Sequence, residues 1–287
     1  MRETIRRALR EDLGPAWRDL STEALGPARE RPAIGEVLVK ADGVLCGIGV
    51  IGPVIELVEA ASVSTFRQAF PTTIEPLAVD GDRVGAGTVV ARLRGPVCTL
   101  LTAERTLLNL MQRLSGIATL TRRFVDAVAG TRARILDTRK TTPGLRSLEK
   151  TAVRTGGGVN HRFGLYDMVM LKDNHLTAMG GDIALAVAEA RRRSGPAVRI
   201  EVETATLEQV RAAVAAGADL IMLDNMPPAL MRQCVAEVAG RVPLEASGGI
   251  TLETVRAVAE TGVDYISVGA LTHSAPALDI SMKIRLA

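Results

Sequence analysis

An α/β fold, with a parallel barrel or a large part of one in its second half, is the class this sequence predicts. Three observations predict it. From residue 133 six short apolar runs recur: ARIL (133–136), MVML (168–171), VRIEV (198–202), DLIML (219–223), VPLEA (242–246) and VDYISV (263–268). Helical segments such as DIALAVAEARRR (182–193) and LEQVRAAVAAG (207–217) separate them. The runs lack polar alternation, as strands of a parallel sheet covered on both faces do. Six such strands within about 135 residues suit a barrel. A doubly wound open sheet is the alternative, but no GxGxxG opens a helix after the first run.

The first half has a different grammar. MRETIRRALREDLG is charged and helix-like, without an apolar signal segment. EVLVKADGVLCG (36–47) reads as strand, turn, strand, and PVIELVEAA (53–61) as helix. In VDGDRVGAGTVVARLRG (79–95), Asp-Gly and Gly-Ala-Gly turns separate alternating apolar residues, which predicts antiparallel strands. TLLTAERTLLNLMQRLSGIATLTRRFVDAVAG (99–130) is a long helical stretch with an expected break near Ser115-Gly116. Leu100, Leu101, Leu107, Leu108, Met111 and Leu114 fall roughly on one face of it, with Arg105 among them beside Glu104.

The bulk numbers bound the function. At 287 residues and 47% apolar content the chain can bury a barrel core and a small domain besides. Aromatics are only 2%, so the core is aliphatic and a base-stacking surface for single-stranded nucleic acid has little to build on. A net charge of +3, from 35 basic and 32 acidic residues, is too mild for a nucleic-acid or membrane partner, so any positive field is local. Cys46, Cys98 and Cys234 are far apart and show no metal spacing, which fits reduced thiols in a cytoplasmic protein. The apolar stretch 43–63 is interrupted by Pro53, Glu56 and Glu59 and is not expected to span a membrane.

Polar residues cluster where the runs end. ARIL leads to DTRK, MVML to KDNH, VRI to EVET, LIML to DN, PLEA to SGG, and YISV to GA and then LTHS. The C-terminal ends of barrel strands open into one mouth. Thr138, Arg139, Lys140, Lys172, Asn174, Glu201, Asp224 and the Ser247-Gly248-Gly249 loop are therefore expected to converge, with His161 and Arg162 of GGGVNHRFG (156–164) adding to the cations. Arg suits bidentate contacts with carboxylate or phosphate, and Lys supplies a compact point charge. Glu201 and Asp224 partly balance that charge and suit ribose hydroxyls or a hard cation such as Mg²⁺. Ser-Gly-Gly and Val268-Gly269-Ala270 can offer backbone N–H groups to a phosphate. The pattern predicts a substrate with several negative charges, including a phosphate.

The blocks DTRKTTPGLRSLEK, AVRTGGGVNHRFGLYDMVMLKDNH, LIMLDN, LEASGGI and DYISVGALTHSAPALDISMK, with LTAERTLLNLMQRLSGIAT in the first half, resemble those of quinolinate phosphoribosyltransferases. The resemblance implies an N-terminal α/β sandwich over 1–114, joined by about 275–287, and an incomplete TIM-like α/β barrel over 115–274 that carries the active site. It implies transfer of phosphoribosyl from phosphoribosyl pyrophosphate to quinolinate, giving nicotinate mononucleotide, pyrophosphate and CO₂ on the de novo route to NAD. Mg²⁺ is implied with the phosphoribosyl donor, held directly or indirectly by Glu201 and Asp224, and no organic cofactor is. A homodimer or an assembly of dimers such as a hexamer is implied, each site borrowing Arg105 from its neighbour. Arg105, Arg139, His161, Arg162 and Lys172 would surround the two carboxylates of quinolinate, and Lys140 would face the junction with the sugar. Ser247, Gly248, Gly249, Gly269, Ala270 and His273 would hold the 5′-phosphate.

Each residue has a plainer reading. Arg139-Lys140 can be a solvated pair, Lys172 and Asn174 a strand-end cap, His161 a structural loop histidine, and Asp224 a helix N-cap. Arg105 can snorkel or pair with Glu104. Period-two alternation puts Glu201 and Glu203 on one face, so spacing does not choose between them; the resemblance favours Glu201, with Glu203 able to share its role. Three rivals stand beside the main reading: the phosphoribosyltransferase-like protein encoded with molybdate transporters, a non-decarboxylating nicotinate phosphoribosyltransferase, and a non-catalytic barrel that binds phosphometabolites. The KDNH block weighs against the first, and the set Lys140, Lys172, Glu201, Asp224 against the last.

Overall fold

A computed structural model of the chain describes residues 1–62 and 70–287. Its first elements are α1 (Arg2–Leu13), α2 (Leu20–Glu23), β1 (Pro32–Val39), β2 (Gly43–Val44), α3 (Ile48–Ser62), β3 (Thr73–Pro76), β4 (Arg83–Val84), β5 (Val89–Pro96) and α4 (Val97–Ala127). There follow β6 (Arg134–Leu136), α5 (Arg146–Thr155), β7 (Val169–Leu171), α6 (Asp173–Ala178), α7 (Ile183–Ser194), β8 (Ile200–Thr204) and α8 (Leu207–Ala215). The chain closes with β9 (Leu220–Asp224), α9 (Pro228–Val238), β10 (Leu244–Ser247), α10 (Val255–Ala259), β11 (Tyr265–Ser267), α11 (Ala270–His273) and β12 (Ile280–Leu286). These residues form two units. One comprises 1–120, 142–156 and 275–287, the other 121–141 and 157–274.

The first unit carries an antiparallel sheet in the order β12-β1-β5-β3. The chain's last strand therefore closes the edge of its first domain, with Ala33 opposite Leu286 and Val39 opposite Ile280. Helix α4 buries Leu100, Leu107, Leu108, Met111 and Leu114, while Leu101 turns outward at 36% exposure. The apolar stretch 43–63 forms β2 and α3, its last residue lying outside the described residues. Among the described residues no helix is long and apolar enough to cross a membrane.

The expected break at Ser115-Gly116 is absent: α4 runs unbroken through both. These small residues serve packing instead. Ser115 Oγ accepts the Cys46 N–H and donates to the Cys46 carbonyl, both at 2.9 Å. A Cβ on Gly116 would lie 2.0 Å from the Pro276 carbonyl oxygen, so only glycine admits the returning chain there. In the same unit the fully buried Glu149 is held by Arg113 Nη2 at 2.8 Å and by the Thr142 hydroxyl and N–H at 2.7 and 3.0 Å, which ties residues 142–156 to α4.

The second unit holds six parallel strands in the order β6-β11-β10-β9-β8-β7, matching the six apolar runs. From β7 to β11 neighbours in the sheet are neighbours in sequence, and β11 then pairs with β6. A doubly wound sheet reverses direction at a switch point; this order continues round, as in a barrel. A parallel bridge from Leu136 to Val159 extends the ring beyond β6, leaving the barrel open between that segment and β7. Ile135, Val202, Ile221, Leu223, Ala246 and Ile266 fill the core. Asp182 caps α7 by accepting the Leu185 N–H, and Thr206 with Gln209 forms a capping box on α8. The α8 cap starts its return helix directly after β8, which leaves that strand's C-terminal residues free for chemistry, whereas α7 follows the short α6.

Candidate active site

The strand ends of the second unit surround a cavity of about 710 Å³. Thr138, Arg139 and Lys140 reach it from the end of β6, His161 and Arg162 from the glycine-rich segment, Lys172 from β7 and Asp224 from β9. Ser247, Gly248 and Gly249 enter from β10, and Val268, Gly269, Ala270 and His273 from β11 and the short α11. Four cations thus face one space, as the polar strand ends imply.

Three expected residues are not among those lining it. Arg105 is exposed on α4 in the first unit. Asn174 is exposed on the first turn of α6: the helix starts at Asp173, so the chain turns away immediately after Lys172. Glu201 is fully buried. It shares the inward face of β8 with Glu203, but lies one alternation further from the strand's C-terminal end, so Glu203 rather than Glu201 reaches the cavity. Lys172 Nζ pairs with Glu203 Oε2 at 3.0 Å.

Short-range contacts fix the cationic loops. The Lys140 N–H donates to Thr138 Oγ1 at 3.0 Å, and the Lys140 carbonyl accepts the Thr272 hydroxyl at 2.8 Å. A Cβ on Gly269 would stand 3.0 Å from Lys140 Cδ and 3.2 Å from His273 Nε2, so glycine lets both side chains close in. Asp137, fully buried, accepts the His161 N–H at 2.8 Å and the Asn160 amide at 2.5 Å, fastening the two cation-bearing segments together. Arg162 Nη1 donates to the Met168 carbonyl at 3.1 Å, while its buried Nε finds no hydrogen-bond partner. Burial, and then the nearby charge of Arg139, lower the Arg162 pKa. Two guanidiniums crowded in this way favour an anion between or beside them.

His161 is bound on both ring nitrogens. Nδ1 accepts the Arg162 N–H at 2.7 Å. Nε2 lies 3.0 Å from Glu201 Oε2 and 3.3 Å from Glu245 Oε2, ion-pair distances that lack the alignment of true hydrogen bonds. Burial opposes charge on the ring, but contacts and charges from Glu201 and Glu245 prevail and raise its pKa to about 10. With Nδ1 accepting the Arg162 N–H, the ring in this geometry carries its one proton on Nε2, and a further proton taken up by the cluster sits on the carboxylate side. Burial, reinforced by the charge of Glu245, raises Glu201 as well. His161, Glu201 and Glu245 also form the one group of potential metal ligands among the described residues.

The phosphate-type loop has its own geometry. Gly248 at φ 97° allows the Asn225 side chain to pack where a Cβ would sit, 2.2 Å from Asn225 Oδ1. Asn225 itself adopts φ 52°, a left-handed conformation that asparagine tolerates, and donates its N–H to the Ser247 carbonyl at 2.9 Å and its amide to Asp224 Oδ2 at 2.8 Å. The Ser267 and Ser247 hydroxyls meet at 2.9 Å.

The reading of strand ends alone missed Met170, Met222, Asn225, Glu245, Ile250, Thr251 and Ser267, all of which line the cavity. Some were within reach. Met170 precedes Lys172 by two, Met222 precedes Asp224 by two and Glu245 precedes Ser247 by two, so strand alternation places each on its partner's face. Glu245 is also a lone acid inside an apolar run. Nothing local marks Ile250, Thr251 or Ser267.

Known proteins are similar to this chain along nearly all of its length. Residues 19–115 match the family model for the quinolinate phosphoribosyl transferase N-terminal domain, and 117–283 that for its C-terminal domain. A probable nicotinate-nucleotide pyrophosphorylase [carboxylating] of Bacillus subtilis is 47% identical, over 96% of this chain and 90% of its own length. The nicotinate-nucleotide pyrophosphorylase [carboxylating] of Mycobacterium leprae is 44% identical, over 99% and 96%. Among solved structures, NadC from Streptococcus pyogenes superposes with a TM-score of 0.91 at 41% identity, covering 99% of this chain and 96% of that one.

Proposed function

The chain belongs to the quinolinate phosphoribosyltransferase family, and from that premise we propose that its barrel transfers phosphoribosyl from phosphoribosyl pyrophosphate to quinolinate with loss of CO₂. The product is nicotinate mononucleotide, so the chain serves de novo NAD biosynthesis. The observation that carries this reading is the convergence of Arg139, Lys140, Arg162 and Lys172 on one cavity that also presents Glu203, Asp224 and two glycine-bearing loops.

The chemistry follows from that layout. Arg139, Arg162 and Lys172 take the two carboxylates of quinolinate. Lys140 stands at the junction with the sugar. The pyridine nitrogen attacks the anomeric carbon as the bond to pyrophosphate breaks, and positive charge gathers on the ribose. Glu203 and Asp224 face that charge and the ribose hydroxyls. The same two carboxylates offer hard oxygen donors suited to Mg²⁺, whereas Glu201 is enclosed and does not. Mg²⁺ arriving with the donor would neutralise pyrophosphate charge. Ser247, Gly248, Gly249, Val268, Gly269, Ala270 and His273 receive the 5′-phosphate. Once the ring nitrogen is quaternary it draws in the electron pair of the adjacent carbon–carboxylate bond, CO₂ departs, and the ring carbon takes up a proton. Positioning and charge carry these steps, with no covalent nucleophile and no organic cofactor.

A homodimer, alone or within a hexamer, with Arg105 donated to the neighbour's site, is part of the proposal. Arg105 is exposed on α4, and Phe163, Leu165 and Tyr166 give the second unit an exposed apolar loop suited to a protein partner. The compartment we propose is the cytoplasm, where the free thiols of Cys46, Cys98 and Cys234 stay reduced. The test is a turnover assay with quinolinate, phosphoribosyl pyrophosphate and Mg²⁺, following nicotinate mononucleotide and CO₂ with nicotinate as the control substrate. Product without CO₂, or turnover of nicotinate instead, overturns it.

A further inference from the structure

We propose that Asn225 is a positioning residue for the phosphoribosyl group: its side chain ties the carboxylate of Asp224 to the turn at Gly248, so that the ribose hydroxyls and the 5′-phosphate meet surfaces held at one spacing. This rests on the reading of Asp224 as the ribose-facing acid and of Ser247-Gly248-Gly249 as the phosphate loop. Asn225 lines the cavity directly after β9. Its amide donates to Asp224 Oδ2 at 2.8 Å, and no other donor among the described residues reaches that carboxylate. Its backbone N–H donates to the Ser247 carbonyl at 2.9 Å, which carries the pairing of β9 with β10 one step past Asp224 and Ser247. The side chain lies over Gly248: a Cβ there would stand 2.2 Å from Asn225 Oδ1 and 2.5 Å from its Cγ. One residue thus touches the acid, the strand end and the glycine turn.

The plainer reading is that asparagine is here for its backbone. Asn225 sits at φ 52°, where a residue with a Cβ is strained and asparagine is among the best tolerated. Glycine would take that conformation without strain, and among the described residues positive φ falls to glycine everywhere except at Trp17, Asn225 and Ala239. Of those three, only Asn225 is among the residues lining the cavity. A turn alone therefore does not call for asparagine; the contacts of its side chain do. What they remove is freedom. Asp224 has two rotatable side-chain bonds at an open strand end. One amide restrains both while occupying a single oxygen, which leaves the other for a ribose hydroxyl. The same amide fills the space into which the Gly248 turn, at φ 97°, would otherwise relax. Backbone N–H groups of such a turn converge on a phosphate only while it keeps its shape.

The experiment compares Asn225→Gly and Asn225→Asp with the wild type. Asn225→Gly keeps the left-handed turn and removes every side-chain contact. Asn225→Asp keeps the size and the turn but sets an acceptor against the Asp224 carboxylate. Both are expected to raise the KM for phosphoribosyl pyrophosphate by about 10-fold or more, as loss of one hydrogen bond to a charged group does, with the KM for quinolinate within about 3-fold and Tm little changed. A purely conformational asparagine predicts instead that Asn225→Gly is as active as the wild type, and that result overturns the proposal. Equal rises in both KM values overturn it too, because they mark a cavity that has lost its shape. A second measurement needs neither quinolinate nor turnover: calorimetric titration with ribose 5-phosphate, which carries the hydroxyls and the phosphate alone. Asn225→Gly should bind it about 10-fold more weakly than the wild type does, and equal affinity overturns the proposal. A wild type that binds ribose 5-phosphate but forms no nicotinate mononucleotide refutes the assigned reaction instead, and the titration then decides the role of Asn225 by itself.

Discussion

Lys172 Nζ stands 3.0 Å from Glu203 Oε2, joining the C-terminal ends of the paired strands β7 and β8 on the wall of the cavity. The lysine side chain is 47% exposed and the glutamate 13%. A pair so open to water adds about 0–1 kcal/mol to stability, so its worth lies in holding the ammonium toward the cavity. Lys172→Ala and Lys140→Ala are therefore expected to lower kcat/KM by about 100-fold or more with little change in Tm. Near-normal turnover in either variant would refute its role.

The two glutamates of β8 should separate cleanly. Glu203→Ala is expected to damage catalysis and leave the fold nearly intact, because Glu203 faces the cavity. Glu201→Ala removes one member of a buried charge cluster, a loss of about 3–5 kcal/mol by analogy with other broken buried pairs. Chemical denaturation and steady-state kinetics on both variants decide it. The reverse pattern, a stable inactive Glu201→Ala with a destabilised active Glu203→Ala, contradicts the assignment.

Gly269 has φ −64°, so its backbone accepts any residue, and the cost of a side chain there falls on its neighbours. A Cβ would press on Lys140 Cδ at 3.0 Å and His273 Nε2 at 3.2 Å. Both can shift by tenths of an ångström. Gly269→Ala should fold normally and lose about 10-fold or more in kcat as Lys140 is displaced. A melting temperature that falls sharply while kcat holds would show that the glycine serves packing alone.

The cluster of His161, Glu201 and Glu245 predicts a pH dependence of stability. Proton affinity of the cluster is raised, His161 from 6.5 to about 10 and Glu201 upward by burial, so the folded cluster holds a proton that the unfolded chain releases across that window. Stability from this source is complete below about pH 6.5 and is lost as pH rises through about 10. Denaturant midpoints of the wild type should fall across that window more than those of a Glu201→Gln/Glu245→Gln double variant. Parallel profiles would rule out the cluster as the cause.

Shared sites predict complementation. Heterodimers of Arg105→Ala and Lys140→Ala subunits contain one site with both residues intact. Mixing after exchange should recover up to about half the activity per subunit pair. Verified heterodimers that stay inactive count against Arg105 acting on a neighbour.

Much of the architecture was legible in the chain. Six apolar runs became six parallel strands because buried strands leave an unbroken aliphatic trace, and the polar residues that follow them mark the open end of the barrel. Gly116 shows where local reading failed. A Ser-Gly pair resembles a helix break until the Pro276 carbonyl, 160 residues later, is found against it.

The sequence by itself determined the fold class, the family and the set of cations and glycines at the strand ends, since these depend on local period and residue type. Only the tertiary structure decided that Glu203 rather than Glu201 faces the cavity, that Asn174 turns away, and that His161 is locked on both nitrogens. The reason is depth. Alternation tells which side of a strand a residue occupies, but how far down the barrel it sits, and which neighbours meet it there, follows from the register and closure of strands that are distant in sequence.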